Sequence, residues 1–308
     1  MAAALEVDGV RKTLRGREIL RGISFTVQTG DVFGYLGSNG AGKTTTIRII
    51  LDLLRPDSGA VRVGGESAAH EDVRRRIGFV LDADGLYNAL SAEENLEFYA
   101  RIYGVSDARE RIRTRLAQVG LADRGRDRVG GFSKGMRQRL ALARALVHEP
   151  EILILDEPMS GIDPSGQIEL RRILLEIVAR GDKTIFFSSH DLDEVQRICN
   201  RIALIDQGAI RLQGDVATLI REMGEREVVI DTAGAVPEAV WQALRAAPLG
   251  FQSACDERLL FSPPEAVDVS DIVGFLVGQG VKVEGARHKE ASLEDLYTAI
   301  LEEREGTR

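Results

Sequence analysis

The feature that most constrains this chain is a glycine-rich loop at residues 37–44, whose sequence GSNGAGKT fits the pattern G-x-x-x-x-G-K-[ST]. Residues 31–36 before the loop predict a short apolar strand, and Ile47, Ile50 and Leu51 after it recur at helical spacing. Between a strand and a helix, glycines allow successive backbone N–H groups to curl around phosphate oxygens. The segment therefore predicts a phosphate-binding loop and nucleotide binding.

The side chains of this loop have separate predicted roles at the phosphates. Lys43 adds a mobile positive charge, Thr44 offers a hydroxyl to Mg²⁺, and the following helix points its positive end at the anion. The other predicted ATP contacts in this segment are Gly37, Ser38, Asn39, Gly40, Ala41, Gly42 and Thr45.

A second motif is the apolar strand at residues 152–155, which ends in the carboxylates Asp156 and Glu157. A buried strand delivers Asp156 at its tip, where it can hold Mg²⁺ directly or through water. Glu157 is then placed to orient or deprotonate the water that attacks the γ-phosphate. Together with the loop, this strand predicts Mg²⁺-dependent hydrolysis of ATP.

Three further segments resemble the motifs of ABC ATPases. The sequence FSKGMRQ at residues 132–138 resembles their LSGGQ signature, SGID at 160–163 resembles their D-loop, and SSHD at 188–191 resembles their switch histidine after its strand. The order of P-loop (Walker A), signature and Walker B strand is also that of the family. The resemblance covers about residues 1–222.

The resemblance implies a site shared between two subunits. In this family the signature of one subunit contacts the ATP that is bound at the P-loop of the other. It therefore implies that Ser133, Lys134, Gly135 and Met136 contact the ATP of the partner subunit, with Ser133 and Gly135 at its γ-phosphate. It also implies that His190 contacts the γ-phosphate within its own chain. The same comparison assigns Ser160 and Asp163 to the D-loop.

Two positions depart from the family pattern. A glutamine usually follows a strand like residues 77–81, where it senses Mg²⁺ and the membrane partner; here the place is taken by Asp82, which can bind Mg²⁺ but cannot donate a hydrogen bond. A register shifted by one or two residues, with Asp84 nearby, would leave Asp82 as an ordinary loop residue. The aromatic residue that usually stacks on adenine falls at Leu14, which predicts weak discrimination between bases.

The alternation of strands and helices predicts the fold class. Residues 1–222 are expected to form an α/β P-loop NTPase domain with a mostly parallel sheet, a small antiparallel β region and a helical insert at about 83–135. Ser91 and Glu94 form a predicted capping box inside that insert. Residues 223–308 predict a small α+β domain whose βαββαβ order is that of a ferredoxin-like fold.

Composition limits the classes of partner. The net charge of −8 and pI near 5.3 argue against broad electrostatic binding of nucleic acid, so no nucleic-acid partner is expected. Cys199 and Cys255 show no pairing pattern, which favours a reducing cytosol. The start of the chain resembles no signal peptide, and no apolar run approaches the ~18 residues that span a bilayer. A membrane part would have to come from another chain.

The resemblance therefore implies an ATPase subunit at the cytoplasmic face of a cell membrane. Its expected partners are a second ATPase subunit, in a homodimer or a heterodimer, and an integral membrane permease. The signature and residues 292–297 (SLEDLY) are similar to those of drug or antibiotic exporters.

Two alternatives stay open. A soluble ABC ATPase could act in regulation or on nucleic acid or ribosomes, although such relatives usually carry coiled-coil insertions or two ATPase units. The C-terminal module could also bind a small molecule and gate the ATPase, or serve only in packing or dimer contact.

Overall fold

The computed structural model describes residues 3–81, 84–179, 181, 183–224, 227–234, 236–255, 257–264, 266–289 and 292–298. The chain divides into two compact units, Met1–Asp215 and Val216–Arg308. The division lies at the start of a helix, Val216–Gly224, whereas the boundary expected from the sequence lies near the end of that helix.

The described part of the first unit contains strands in a six-stranded sheet and a four-stranded sheet, with helices between them. The strands are β1 (Ala3–Leu14), β2 (Arg17–Gln28), β3 (Val32–Leu36), β4 (Ser58–Val63), β5 (Glu66–Ser67), β6 (Ile77–Val80), β7 (Ile152–Asp156), β8 (Thr184–Ser189), β9 (Arg201–Asp206) and β10 (Ala209–Asp215). The helices are α1 (Lys43–Ile50), α2 (Glu71–Arg74), α3 (Ala92–Ile102), α4 (Ala108–Gln118), α5 (Lys134–Leu146), α6 (Pro164–Ala179) and α7 (Leu192–Ile198).

The six-stranded sheet confirms the predicted mostly parallel architecture. Its order is β10-β9-β3-β8-β7-β6, and only β10 runs antiparallel to its neighbour. Every residue of β3, β7 and β8 is buried, which explains why each strand contains a continuous apolar run rather than an alternating pattern. Because parallel strands end at the same edge, the loops after these three strands meet there.

The four-stranded antiparallel sheet, in the order β2-β1-β4-β5, is the predicted small β region. It packs on the larger sheet through aromatic rings: Phe25 on β2 lies against Phe33, Tyr35 and Phe186, with ring centroids 5.2–5.8 Å apart. Offset stacking of this kind adds to the free energy gained by burying the rings.

The helical insert is built from α3 and α4, and α5 follows it back to the sheet. The predicted capping box is confirmed: the Glu94 N–H donates to Ser91 Oγ at 3.2 Å, and the Ser91 N–H donates to Glu94 Oε2 at 2.7 Å. Among the residues that the structure describes, no helix is long and apolar enough to cross a bilayer.

The second unit begins with α8 (Val216–Gly224) and has the predicted βαββαβ order. Its elements are β11 (Val228–Thr232), α9 (Glu238–Ala246), β12 (Phe251–Cys255), β13 (Arg258–Phe261), α10 (Val269–Gly278) and β14 (Val283–His288). All pairs in the sheet are antiparallel and the strand order is β12-β13-β11-β14, as in a ferredoxin-like fold. Residues 293–298 are helical and begin the predicted last helix.

A half-buried histidine joins the end of α5 to the edge of the large sheet. His148 stacks on Tyr103 with ring centroids 3.8 Å apart, and its Nε2 lies 3.2 Å from the carbonyl oxygen of Ile77. An Nε2–H donor leaves Nδ1 unprotonated, and Nδ1 is buried without a hydrogen-bond partner among the described residues. Burial lowers the pKa of His148 from 6.5 to about 4, and the charge of Arg144 acts in the same direction.

We expect acid to destabilise the first unit through His148. Between pH 6.5 and 4 the unfolded chain binds a proton at this residue and the folded chain does not, so stability falls as the pH falls through that window. Replacement by glutamine removes the titrating group. The loss in free energy of unfolding between pH 7 and 5, measured with urea, should therefore be smaller in His148→Gln by about 1–2 kcal/mol.

The exposed His70 provides the control for this measurement. His70→Gln should show the same acid destabilisation as the parent protein. Equal pH dependence in the parent and in His148→Gln would contradict the prediction.

Candidate functional site

The glycine-rich loop lies where β3 meets α1, as predicted, and two of its glycines are required by the packing around it. Gly42 has φ 119°, in the left-handed region, and a Cβ there would lie 2.7 Å from Leu20 Cδ2. A Cβ on Gly37 would lie 2.4 Å from the carbonyl oxygen of Ile205. The loop can therefore follow this path only with glycine at these positions.

Lys43 is the first residue of α1, and its side chain turns back into the loop. Its Nζ donates to the carbonyl oxygen of Gly37 at 2.7 Å and forms an ion pair with Glu157 Oε1 at 3.2 Å. The side chain is only 5% exposed. A buried ammonium held at the loop is placed to attract phosphate oxygens.

Asp156 lies buried at the end of β7 and is bonded by two hydroxyl groups. Ser188 Oγ donates to Asp156 Oδ1 at 2.6 Å, and the Thr44 hydroxyl also bonds to this carboxylate. Burial raises the pKa of Asp156, and the hydrogen bonds from Ser188 and Thr44 oppose that rise. A buried carboxylate beside a hydroxyl is a set of oxygen donors that fits Mg²⁺, whose other ligands would be phosphate oxygens and water.

Glu157 follows in a backbone conformation that is unusual for a side chain other than glycine. Its φ of 46° lies in the left-handed region, and its N–H donates to Ser188 Oγ at 3.1 Å. This turn sends the carboxylate back towards the loop, where it lies between Lys43 and His190, with Oε2 3.1 Å from His190 Nδ1. The structure thus brings the predicted general base, the P-loop lysine and the predicted switch histidine together.

His190 directly follows β8, and the next residue begins a helix. The Asp191 carboxylate accepts from the Glu194 N–H at 3.1 Å and caps α7. The cap fixes the direction in which the chain leaves the strand and so holds the exposed His190 ring beside Glu157.

The signature residues lie elsewhere in the unit. Ser133 is the N-cap of α5, and its Oγ accepts from the Met136 N–H at 3.3 Å. The Lys134 side chain lies against Gly161, and Gly135 is packed near Ile162. Within the described residues, no hydrogen bond or ion pair joins the signature to the P-loop. The signature therefore adjoins the D-loop of its own chain.

The D-loop residues are tied to the site and to α6. The Ser160 N–H donates to the carbonyl oxygen of Glu157 at 3.0 Å. The Asp163 carboxylate accepts from the Ser165 hydroxyl and from the Gly166 N–H, and these bonds lower the pKa of Asp163. Asp163 thus caps α6, and its assignment to the D-loop stays a prediction.

Of the two positions that depart from the family pattern, the structure describes Leu14 but not Asp82. Leu14 is exposed at the end of β1, beside the turn to β2, where it remains the predicted base contact. Asp82 lies outside the described residues. The neighbouring Asp84 bonds to Arg137 through both carboxylate oxygens, at 2.7 and 3.1 Å, and so has a structural partner.

Ser188 is the site residue to which the sequence assigned no role. It lies within the motif at residues 188–191, but only its position on β8, beside β7, shows that it contacts both Asp156 and Glu157. The available signal was a polar residue directly after the apolar run at residues 185–187 of β8.

Removing the Ser188 hydroxyl should shift the acidic limb of the activity profile. Ser188→Ala removes a hydrogen bond that lowers the pKa of Asp156, so the pKa of this carboxyl rises further through burial. Because the ionised carboxylate is the form that binds Mg²⁺, kcat/KM for Mg-ATP should begin to fall at a higher pH. At pH 7 we expect a loss of about tenfold, since the bond is to a charged group.

Ser189→Ala is the matched control, because the Ser189 hydroxyl accepts from the Asp191 N–H at 2.9 Å and is bonded to neither carboxylate in the described structure. An acidic limb at the same pH in Ser188→Ala and in the parent would argue against this role.

Similarity to known proteins extends over both units. Residues 20–160 match the protein family described as ABC transporter. The linearmycin resistance ATP-binding protein LnrL of Bacillus subtilis (strain 168) is 37% identical over 245 residues, which cover 78% of this chain and 78% of that one. The daunorubicin resistance ATP-binding protein DrrA3 of Streptomyces coeruleorubidus is 36% identical over 303 residues, which cover 96% of this chain and 94% of the relative. A solved structure of an ATP-binding subunit of an ABC transporter has a TM-score of 0.65 and 30% identity, over 79% of this chain and 99% of its own.

Proposed function

Because this chain belongs to the family of ABC transporter ATP-binding proteins, which are ATPases, we propose that it drives an exporter by hydrolysing ATP beside a separate membrane permease. The family predicted from the motifs is therefore confirmed. The observation that carries the proposed mechanism is the convergence of Lys43, Asp156, Glu157 and His190 at one edge of the sheet.

The chemistry follows from the positions of these groups. Lys43 and the loop amides would hold the phosphates of ATP, and Thr44 with Asp156 would hold Mg²⁺. When bound, Mg²⁺ would neutralise charge on the phosphate oxygens. Glu157 would accept the proton of a water molecule as that water attacks the γ-phosphorus and the bond to the bridging oxygen of ADP breaks.

His190 supports this assignment by its place beside the base. Its ring lies 3.1 Å from Glu157, on the side of the carboxylate that does not face Lys43. A γ-phosphate bonded to Lys43 would lie within reach of this exposed ring, which would hold it in line for attack. The products are ADP and inorganic phosphate.

We also propose that the complete site forms between two ATPase subunits. The signature of this chain adjoins its own D-loop rather than its own P-loop, so it is available to the ATP of another subunit. Ser133 at the start of α5 offers a hydroxyl, backbone N–H groups and the positive end of a helix to an anion. ATP would then stabilise the closed dimer by mass action. The partner is a second copy or a related subunit.

Replacing the proposed general base should block hydrolysis and spare binding. We expect Glu157→Gln to lower kcat by about 10²–10⁴-fold, because the water loses its proton acceptor while the P-loop and Asp156 are unchanged. ATP binding by calorimetry should stay within a few-fold of the parent, and Mg-ATP should shift the variant to a dimer on size exclusion.

The control for this variant is Glu151→Gln, since Glu151 lies at the opposite end of β7 and pairs with Arg76 at the surface. Normal turnover by Glu157→Gln would exclude Glu157 as the base.

A groove in the first unit supports the proposed contact with a permease. It has a volume of 440 Å³ and lies between the end of α1 and the helical insert, lined among others by Leu53, Phe79 and Ile102. Leu53 and Ile102 are 62% and 57% exposed and both line the groove, so they form a small exposed apolar patch. The charged rim consists of the ion pairs Arg74–Asp52 and Arg75–Glu71.

Apolar side chains between charged pairs suit an amphipathic helix, and we assign the groove to a cytoplasmic helix of the permease. This assignment places the protein at the inner face of a cell membrane, where ATP is available. The names of the two resistance proteins support export rather than import. The cargo would be recognised by the permease.

A charge placed in the groove should release the permease. We expect Leu53→Glu to abolish copurification of a polytopic membrane protein with the tagged Glu157→Gln chain from detergent-solubilised membranes with ATP. The variant puts a charge where apolar side chains of the permease helix would be buried. ATP binding should be unchanged.

Ile168→Glu provides the matched control, since Ile168 is also 62% exposed but lies on α6, outside the groove. Copurification of soluble complexes, such as ribosomes, in place of a membrane protein would overturn the transporter assignment.

A further inference from the structure

Helix α5 carries two arginines whose side chains reach the segment after β6. Arg137 and Arg144 are seven positions apart, close to two helical turns, so both lie on one side of α5. The segment, residues 84–88, leads from the sheet into the helical insert. We call the two side chains together with this segment the arginine link.

Arg137 holds the segment at both of its ends. Its Nε and Nη2 donate to the two carboxylate oxygens of Asp84 at 2.7 and 3.1 Å, and its Nη1 donates to Asn88 Oδ1 at 2.6 Å. A two-pronged guanidinium–carboxylate contact fixes orientation as well as distance. The side chains of Arg137 and Asp84 are only 24% and 21% exposed, whereas ion pairs that contribute little to stability are those exposed at the surface.

Arg144 makes a second, buried contact to the same region. Its Nη2 donates to the carbonyl oxygen of Phe79 at 2.7 Å, and its guanidinium lies 5.2 Å from the centroid of the Phe79 ring and 5.0 Å from that of Tyr99. The Tyr99 hydroxyl donates to the carbonyl oxygen of Gly85 at 2.5 Å. Arg144 therefore ties α5 to the end of β6 and, through α3, to residue 85.

The arginine link connects the two places where this protein is expected to meet other molecules. The signature at residues 133–136 directly precedes Arg137, and Phe79 lines the groove assigned to the permease. Neither arginine contacts the P-loop, Asp156 or Glu157 among the described contacts, so hydrolysis does not account for them.

We propose that Arg137 and Arg144 are positioning residues, which make the signature helix and residues 84–88 move as one body when the signature meets ATP. The inference rests on the proposed function, because it requires that ATP reach the signature across a dimer. Its consequence is that ATP binding is transmitted to the permease groove through these side chains rather than through the P-loop.

The test uses the full chain with Glu157→Gln, so that ATP is bound but not hydrolysed. Hydrogen–deuterium exchange is measured with and without Mg-ATP for peptides that cover residues 37–44 and 84–90. In this parent we expect ATP to slow exchange at both. Adding Arg137→Ala should leave the ATP effect at 37–44 intact and reduce the effect at 84–90 at least threefold.

Steady-state kinetics give a second readout on chains that keep Glu157. Arg137→Ala should leave KM for ATP within about twofold of the parent and lower kcat about tenfold. ATP still binds at the P-loop, but the signature is no longer held in position against it. Asp84→Asn, a smaller change, should shift both readouts in the same direction. The charge exchange Asp84→Arg with Arg137→Asp should restore part of the ATP effect at 84–90.

Arg139→Ala is the matched control on the same helix. Arg139 pairs with Glu169 at 2.8 Å and donates to the carbonyl oxygen of Val119 at 3.1 Å, away from residues 84–88. The arginine link would be overturned if Arg139→Ala reduced the ATP-dependent protection at residues 84–90 as much as Arg137→Ala does. It would also be overturned if that protection stayed at the parent level in both Arg137→Ala and Asp84→Asn. Absence of ATP protection at 37–44 in the parent would instead refute the proposed function.

Discussion

The site depends on the position of β8 between β3 and β7 in the parallel sheet. This order places Ser188 opposite Asp156, where one hydroxyl bonds to the carboxylate and also accepts from the Glu157 N–H. The strands can pack this closely because all three are buried and apolar. The one carboxylate of these strands, Asp156, is at a carboxyl end, so charge gathers at that edge and not inside the sheet.

The electrostatics of that edge follow from burial. Lys43 is almost fully removed from water, and its charge is offset by Glu157 and by carbonyl oxygens of its own loop. Burial alone would favour the neutral form of Asp156, and the hydroxyl groups around it oppose that tendency. A buried ammonium attracts phosphate oxygens and a buried carboxylate attracts a divalent cation, so the two kinds of charge at this edge fit the two parts of the proposed substrate, Mg-ATP.

Helix α5 has separate roles along its length. Its first turn carries the signature, its apolar side is buried in the core of the unit, and Arg137 and Arg144 tie it to the segment after β6. The helix therefore joins the signature to the edge of the sheet. Such a connection depends on rigid packing, because a loosely held helix would absorb a displacement instead of passing it on.

The local features could be predicted from the sequence alone: the glycine loop before α1, the carboxylates Asp156 and Glu157 at the end of β7, the Ser91 cap, and the βαββαβ order of the second unit. Each is encoded by spacing or capping chemistry within a few residues. The sequence did not predict β9, β10 or α8, whose short patterns have no motif beside them. Three features could be read only from the tertiary structure: the place of β8 between β3 and β7, the bond from Ser188 to Asp156, and the ion pair of Asp84 with Arg137. Each depends on which distant elements of the chain pack together.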